Sequence, residues 1–336
     1  MKTLKKIFVL IVCCLFIGSL GTIAFAQVKN VENSKTKLKI AHGQAKDSLI
    51  GKSLNDVADN LSNNSNFDVE VYTSGVLGSE KDMIELVKAG VLDMAKVSAT
   101  ALGQFDDYYS IFALPYLFTG TEHYYNAMDN SEAIQEIFTR DKDKGYMAIG
   151  WYASGARNVY KKEEGPVKGP EDMKGKKFRV QESSTSMKMI ELMGGAPVPM
   201  SASETYTAMQ QNVIDGAENT EMALTVDKHG ELAKSYTYTE HQYSPDIVII
   251  SSKYWDSLNE EQQSAIKEAL KESNEQYKKD YVETIEDATK EAEGMGVTFY
   301  KIDKTPFIEA VQPMHQDFKD KGEKYKEYYE DIQQYK

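Results

Sequence analysis

Cysteine and proline are scarce in this chain of 336 residues, and the scarcity of each excludes certain classes of protein or site. The chain has two cysteines, Cys13 and Cys14, and both lie within the first 26 residues. The rest of the chain therefore excludes disulfides, thiolate metal sites and cysteine nucleophiles. Only 8 prolines occur, while 41% of the residues are hydrophobic, so we expect a globular core rather than a disordered polymer.

The first 26 residues have the pattern of a secretory signal peptide. Three lysines precede an apolar run over residues 7–17, and small residues follow at Ala24 and Ala26. The apolar run is shorter than the roughly 20 residues that a membrane-spanning helix requires. Val12 stands where lipid attachment at Cys13 would require a small residue, which argues against a lipoprotein. We expect an exported protein that is cleaved after Ala26 and is periplasmic or extracytoplasmic.

Positive charge is also in short supply. The chain has 39 Lys and Arg against 52 Asp and Glu, and loss of three lysines with the signal peptide takes the formal charge from −13 to −16. Basic residues do not cluster with aromatic ones, so the phosphate-neutralising surface that nucleic-acid binding needs is missing. A second apolar run of membrane-spanning length is missing too. We expect a soluble product that does not bind nucleic acid.

Only three of the basic residues are arginine, and their positions are informative. Arg140 lies in a polar segment and is expected to be solvated, whereas Arg157 and Arg179 lie in apolar segments with glycines nearby. A guanidinium binds a carboxylate through two parallel hydrogen bonds, which an ammonium cannot do. The positions of Arg157 and Arg179 therefore favour a ligand that carries a carboxylate.

Strands alternate with helices along the chain, which predicts a parallel α/β sheet in each of two units. Predicted strands lie at 38–41, 67–72, 92–97, 146–151, 177–180, 213–217 and 247–251, and predicted helices at 49–61, 79–90, 185–193 and 203–211. Residues 259–293 contain neither Gly nor Pro, and Asn259 and Gln262 are spaced for a capping box. A helix of that length spans on the order of 50 Å, so we expect it to run across two domains.

The common catalytic and nucleotide-binding signatures are absent. The sequence lacks GxGxxG, GxxxxGK[ST], HExxH and GxSxG, and its five histidines are scattered. Residues 141–145 have the composition of a calcium loop but not its spacing. Nothing in the sequence therefore indicates an enzyme, a cofactor or a metal, although a site assembled from distant residues stays open as an alternative.

Several short segments follow one another in a fixed order. They are 75–80 (GVLGSE), 90–93 (GVLD), 112–116 (FALPY), 155–157 (GAR), 170–181 (PEDMKGKKFRVQ), 197–200 (PVPM), 204–206 (ETY) and 213–219 (VIDGAEN). In this order they resemble the extracytoplasmic solute receptors of TRAP (tripartite ATP-independent periplasmic) transporters, the DctP-like family. The resemblance covers essentially all of the mature chain.

The resemblance implies a periplasmic-binding-protein-like α/β fold with two lobes, a cleft between the lobes and a long helix that contacts both lobes. Lobe I is expected to comprise 35–154 plus about 245–282, and lobe II 155–244 plus about 283–336. Such receptors catalyse nothing and use no cofactor. Their partners are a small organic acid and the membrane permease subunits of the transporter.

The resemblance also implies which residues bind the ligand. Arg179 would anchor the ligand carboxylate, Arg157 would be a second arginine of the cleft, and Asn219 would be a polar clamp. Alternatively, Arg157 braces the hinge and Asn219 caps the helix that follows it. Weaker candidates are Gln181, Glu182, Glu80, Ser98, His42 and His241. Gln181 and Glu182 lie beside Arg179, Glu80 lies at a helix N-terminus, and Ser98 and His42 follow strands, with a solvated Glu80 and a packed His42 as the alternatives.

The class of acid follows from the same comparison. Residues 94–98, Gln181 and residues 239–246 look most like the branch that binds sugar acids, either uronates or aldonates. A polyhydroxylated ligand needs several hydrogen-bonding partners besides the arginine, and these could come from Glu80, Gln181, Glu182, Asn219 and His241. A C4-dicarboxylate would need a second cation, which Arg157 could supply, so that ligand stays open. A secreted enzyme acting on an organic acid is the less favoured alternative.

Overall fold

The computed structural model describes residues 35–336, so the expected signal peptide and its cleavage site lie outside the described residues. Within that range, no helix combines the length and the apolar character needed to cross a membrane. Two β-sheets, one in each lobe, organise the molecule. The predicted two-lobed α/β fold, with a cleft between the lobes, is confirmed.

Lobe I is built on a five-stranded sheet. Its strands are β1 (Thr36–His42), β2 (Phe67–Tyr72), β3 (Met94–Ser98), β4 (Tyr146–Tyr152) and β10 (Asp246–Ser251). They lie in the order β2-β1-β3-β10-β4. The strands β1, β2 and β3 are parallel, but β10 is antiparallel to both β3 and β4. The expected parallel sheet is therefore a mixed one, because β10 enters from lobe II and runs back between two strands of lobe I.

Lobe II is built on a six-stranded sheet that is also mixed. Its strands are β5 (Ala156–Lys161), β6 (Lys177–Val180), β7 (Ala196–Pro199), β8 (Gly216–Asn219), β9 (Ser235–Tyr243) and β11 (Thr298–Lys301). They lie in the order β11-β9-β5-β8-β6-β7. The strand β6 is parallel to β7 and β8, whereas β5 is antiparallel to β8 and β9.

The helices cover the faces of the two sheets and join the lobes. Those of lobe I and its connections are α1 (Leu49–Asn64), α2 (Glu80–Lys88), α3 (Ala99–Leu102), α4 (Thr121–Asn130) and α5 (Glu132–Thr139). Next come α6 (Pro170–Met173), α7 (Ser184–Leu192), α8 (Thr205–Gln210), α9 (Met222–Thr225) and α10 (Ser252–Trp255). The last three are α11 (Glu260–Gly294), α12 (Thr305–Lys319) and α13 (Glu323–Gln333).

The long helix α11 contacts both lobes, as the sequence predicts. Its first turn is closed by the expected capping box, in which Asn259 accepts from the Gln262 backbone and Gln262 from the Asn259 backbone. Its first half packs on α1 and β4 of lobe I, and its second half packs on α9 of lobe II. Ala292, near its C-terminal end, lies in the core of lobe II. The helix therefore ties the two lobes together along one side.

The last helix, α13, packs on lobe I. The Asp331 carboxylate accepts hydrogen bonds from Ser131 and Ala133 at the start of α5, and His123 Nε2 lies 2.9 Å from the Ile332 carbonyl oxygen. The lobe boundaries given above stay a prediction. From these contacts we propose that Glu323–Gln333 belongs with lobe I.

Arg140 is exposed, as the polar segment around it suggests, but its side chain also has structural partners. Its Nε lies 3.0 Å from an oxygen of the buried Asp106, and its guanidinium lies over the Tyr108 ring, 3.7 Å from the centroid. Its Nη1 donates to the Tyr328 hydroxyl of α13 at 3.3 Å. A buried carboxylate requires a cationic partner, and Arg140 meets that requirement for Asp106. Arg140 therefore has a structural task away from the cleft.

Candidate functional site

A cleft of about 560 Å³ lies between the lobes. It forms beyond the carboxyl ends of β1 and β3 in lobe I and of β6 and β8 in lobe II. Ligands of open α/β sheets bind at this edge, because the loops that follow parallel strands converge there. Seven of the nine predicted site residues line the cleft: Arg179, Arg157, Asn219, Gln181, Glu182, Glu80 and Ser98.

Arg179 is a buried cation without an acidic partner. It lies on β6 between the core residues Phe178 and Val180, so the alternation of the strand turns it to the opposite face, toward the cleft. It is 5% exposed, and burial lowers the pKa of its guanidinium. Its Nε and Nη2 donate to the Met200 carbonyl oxygen at 3.1 and 2.9 Å. Within residues 35–336 no carboxylate forms an ion pair with it, so its Nη1 donors are available to an anion.

Arg157 is also buried at the cleft, but its charge is neutralised. Its Nε lies 2.5 Å from Glu218 Oε2, and its Nη2 donates to Glu218 Oε1 at 2.9 Å and to the Glu218 carbonyl oxygen at 2.7 Å. Its Nη1 donates to Asn219 Oδ1 at 3.0 Å. Four of its five N–H donors are thus used, since a guanidinium has five. Arg157 braces β5 against β8 and retains one donor for a ligand.

His241 contacts the ion pair of Arg157 and Glu218 and does not line the cleft. This corrects the expectation from the sequence that His241 binds the ligand. The ring is fully buried, with Nδ1 2.8 Å from Thr239 Oγ1 and Nε2 3.4 Å from Glu218 Oε2. Burial raises the pKa of Glu218, but Arg157 and His241 more than offset that effect and hold this pKa at about 2. His241 therefore helps to hold the Glu218 carboxylate in place.

Asn219 lines the cleft at the end of β8. Its side-chain oxygen accepts from Arg157 and, at 2.9 Å, from the Thr220 backbone N–H. The following helix α9 starts at Met222, and no capping bond joins Asn219 to it. The alternative of a helix cap therefore does not hold. The amide oxygen of Asn219 is occupied, so its NH₂ group is the part of the side chain that remains for a further hydrogen bond.

The lobe I side of the cleft holds a cluster of charges around a buried lysine. The backbone N–H and the hydroxyl of Ser98 donate to Glu80 Oε1 and Oε2 at 3.0 and 2.7 Å. Lys96 is 0% exposed, and its Nζ lies 2.9 Å from Asp246 Oδ1 and 3.9 Å from Glu80 Oε1. Glu80, Ser98 and Asp246 line the cleft, and Lys96 lies behind them.

His42 is packed inside lobe I, so its assignment as a cleft residue was wrong. It is fully buried at the end of β1, in register with Lys96 of β3, and it is not among the lining residues. Burial, with a smaller contribution from Lys96, lowers the pKa of His42 to about 4. Neither ring nitrogen has a hydrogen-bond partner among the residues described. The imidazole therefore stays neutral beside the lysine.

Three residues that the sequence analysis missed also line the cleft: Gln104, Asp227 and Asp246. Gln104 lies in lobe I, and its Nε2 donates to the backbone oxygen of Glu182 in lobe II at 2.5 Å. Burial raises the pKa of Asp227 to about 6, although Arg179 acts against that rise. The sequence does contain a sign that Lys96, behind the cleft, is paired, because a lysine in an apolar strand requires a buried partner.

Residues 35–336 contain no group of three or more His, Cys, Asp or Glu placed to hold a metal ion. The chemistry of the cleft is instead that of an anion site. Lobe II supplies an unpaired guanidinium, and lobe I supplies carboxylate and hydroxyl acceptors.

Comparison with known proteins identifies close relatives. The family described as bacterial extracellular solute-binding protein, family 7 (DctP), matches residues 40–321. The uncharacterized protein YiiZ of Salmonella typhimurium is 42% identical over 258 residues, which cover 76% of this chain and 79% of YiiZ.

Two solved structures of similar proteins share the fold over most of the chain. A TRAP periplasmic solute-binding protein from Anaerococcus prevotii, with bound α/β-D-glucuronate, has a TM-score of 0.86 and 36% identity, covering 90% of this chain and 98% of that one. A second such protein, from a Sulfitobacter species with bound β-D-galacturonate, has a TM-score of 0.84 and 29% identity, covering 88% of this chain and 99% of that one.

Proposed function

Since this chain belongs to family 7 of the bacterial extracellular solute-binding proteins, the DctP family, we propose that it is the extracytoplasmic receptor of a TRAP transporter and that its ligand is a uronate. The receptor captures the sugar acid between its lobes and delivers it to the membrane permease subunits. Members of this family bind solutes, and we propose that this chain returns its ligand chemically unchanged.

The observation that carries the proposal is the unpaired charge of Arg179. Each of the other buried cations around the cleft has an acidic partner, Glu218 for Arg157 and Asp246 for Lys96. One unpaired guanidinium matches one carboxylate. The neutral and anionic acceptors of lobe I suit the hydroxyl groups of a sugar ring. The uronates bound in the two similar structures support the same class of ligand.

A C4-dicarboxylate is the second candidate, and the geometry favours it less. Such a ligand needs a cation at each end, and Arg157 was the expected second one. Four of the five donors of Arg157 are occupied by Glu218 and Asn219. Its positive charge is already balanced inside the protein.

A thermal-shift screen tests the proposal. Uronates, aldonates, C4-dicarboxylates and 2-oxo acids are added singly to the mature protein, and a ligand at 100 times its dissociation constant adds about 2.7 kcal/mol of stability. We expect the largest shift from D-glucuronate or D-galacturonate, and mass spectrometry should recover that ligand unchanged. A larger shift from succinate than from either uronate would refute the assigned ligand, and turnover of the ligand would refute the receptor.

Export is part of this proposal. We propose cleavage after Ala26, because a short apolar run and then the small residues Ala24 and Ala26 precede that bond. Intact-mass analysis of the protein recovered outside the cytoplasm should place Gln27 at the N-terminus. A lipid-modified mass that starts at Cys13 or Cys14 would contradict it.

A further inference from the structure

One positive charge near the cleft is hidden from the ligand. Lys96 is 0% exposed and lies within 4 Å of two carboxylates, those of Asp246 and Glu80. These two acids line the cleft, whereas Lys96 does not. Two carboxylates and one ammonium leave this cluster, which we name the Lys96 cluster, with a formal charge of −1.

The cleft therefore holds two groups of opposite charge on facing walls. Arg179 on lobe II is positive and unpaired, and the Lys96 cluster on lobe I is negative; lobe II also contributes the carboxyl groups of Glu182 and Asp227. Burial lowers the pKa of the Arg179 guanidinium, and Glu80 on the facing wall is one of the groups that act against this shift. A monoanion whose carboxylate binds Arg179 presents its uncharged end to the Lys96 cluster. A dianion presents a second carboxylate to two carboxylates, and like charges at close range disfavour binding.

On the basis of the proposed function, we propose that Glu80, Asp246 and Lys96 form a charge filter that restricts the receptor to acids with one carboxylate. Lys96 is in this sense a masked second cation. Its position behind the acids means that removal of one negative charge turns the Lys96 cluster from negative to neutral. Removal of that charge should then admit a ligand with a carboxylate at both ends.

Substitution of Asp246 carries a greater risk to folding than substitution of Glu80. Asp246 is the close partner of Lys96, at 2.9 Å, and its loss would leave a buried ammonium poorly paired. Glu80 lies 3.9 Å from Lys96, and a glutamine there can still accept a hydrogen bond from Ser98. Glu80→Gln is therefore the decisive variant, and Asp246→Asn serves as the second one if Glu80→Gln fails to fold.

The nearby Lys81 needs a separate control. It lies on the rim of the cleft and is exposed, so water screens its charge. A second carboxylate could bind there instead of near Lys96. The double variant Glu80→Gln, Lys81→Gln distinguishes the two, because it removes the cation at the rim and keeps Lys96 behind the cleft.

Calorimetric titration with matched acids tests the filter. The pairs are D-glucuronate with D-glucarate, D-galacturonate with galactarate, and butyrate with succinate; the second member of each carries one more carboxylate. The wild-type protein should prefer the monoacid. A charge about 6 Å away, at an effective dielectric constant of about 20, changes affinity by about a hundredfold before screening. Glu80→Gln should therefore shift the diacid-to-monoacid preference by about tenfold or more, and the double variant should keep the shift.

Asp59→Asn is the matched control, because Asp59 is an exposed acid on the same lobe that does not line the cleft. It removes the same charge and should leave the preference unchanged. A wild-type protein that prefers the diacid, an unchanged preference in Glu80→Gln, or an equal shift in Asp59→Asn would overturn the filter. Preference for butyrate over both uronates would refute the proposed ligand and leave the filter measurable, and failure to bind all six acids would refute both.

Discussion

Burial of the Arg179 charge lowers the stability of the empty protein and at the same time serves ligand binding. A guanidinium removed from water without an acidic partner destabilises the empty protein. Binding of a carboxylate supplies the missing partner, so the energy lost in the empty cleft is recovered only with the ligand. Residues that serve binding in this way lower stability until the ligand arrives.

Substitution of Arg179 should separate affinity from stability. Arg179→Ala should weaken uronate binding by about two to four decades, because loss of one partner of a buried pair costs about 3 to 5 kcal/mol. Arg179→Lys should weaken it as well, since an ammonium cannot bind two carboxylate oxygens in parallel. The ligand-free Arg179→Ala protein should melt no lower than the wild type. Calorimetric titration and thermal unfolding measure the two effects.

The matched control is Lys177→Ala, which removes an exposed cation from the same strand. It should leave affinity within a factor of about two, as surface substitutions usually do. Near-native affinity in Arg179→Ala would show that the carboxylate binds elsewhere.

The Glu218 carboxylate should make stability depend on acid pH. Its folded-state pKa, about 2, lies below the ordinary value of 4.5, so its contribution is present above pH 4.5 and is lost as the pH falls toward 2. A depression of that size corresponds to about 3 kcal/mol. Glu218→Gln should be less stable at neutral pH and should lose less stability between pH 4.5 and 2. Chemical denaturation across this range measures both.

Glu171→Gln is the control, because Glu171 is an exposed acid of the same lobe. Its acid-induced loss of stability should match that of the wild type. If Glu218→Gln showed the wild-type slope below pH 4.5, the ion pair with Arg157 would not contribute as described.

The candidate site was partly predictable from residue types. Arg179 and Asn219 came from the family resemblance, and both line the cleft. His42 and His241 were misplaced because a position near a strand end does not reveal which face of the sheet a side chain meets. The pairing of Lys96 with Asp246 could not be predicted, since 150 residues separate them and only the sheet brings them together.

At the scale of elements, Gly155 in the crossing from β4 to β5 lies in close contact with the long helix α11. Its φ is +68°, and a Cβ there would lie 1.9 Å from the Tyr281 hydroxyl oxygen. That hydroxyl belongs to α11 and donates to the Ser154 carbonyl oxygen at 2.9 Å. The crossing strand and the long helix are therefore fixed to each other where the lobes meet.

Gly155→Ala should disturb this crossing beyond the cost of backbone strain. A left-handed alanine costs about 1 to 2 kcal/mol, and overpacking against Tyr281 adds about 1 to 3 kcal/mol more. Gly165→Ala is the matched control, because Gly165 also has a positive φ, +86°, with nothing within 4 Å. Denaturant unfolding should separate the two variants. Equal losses of stability would show that the contact with Tyr281 is not tight.

Several elements were predicted within a few residues, among them the alternating strand β2 and the long helix α11, which contains neither Gly nor Pro before its last residue. The helices α4, α5, α12 and α13 were not predicted. The strand β9 was missed because its sequence, SYTYTEHQY, is rich in hydroxyl groups. Two of its threonines are buried and accept backbone hydrogen bonds, Thr237 from Val167 and Thr239 from Val159. Polar side chains can occupy a buried strand when they accept hydrogen bonds from backbone N–H groups of neighbouring segments. A hydrophobic pattern cannot reveal such a strand.

At the scale of the whole molecule, the arrangement predicts closure around the ligand. Two chain crossings, at 152–156 and 243–246, and the helix α11 join the lobes, and the hydrogen bond from Gln104 to Glu182 reaches across the cleft between them. Such a connection acts as a hinge, and a ligand that contacts both walls favours the closed state. Small-angle scattering should show a smaller radius of gyration with a saturating uronate. Arg179→Ala at the same ligand concentration should not contract, and an unchanged wild-type profile would count against a hinged receptor.

The position of β10 has a consequence for how the chain acquires its fold. This strand fills the gap between β3 and β4, yet it follows them by roughly a hundred residues or more along the chain, after five of the six strands of the lobe II sheet. A newly made chain therefore cannot complete the sheet of lobe I until residue 251 is available. Pairing over such separations is slow, because the loop must close before the contacts form. Lobe I is the first lobe to be synthesised, but its sheet is completed late. The chain therefore stays incompletely folded for longer, and folding of the two lobes is interdependent.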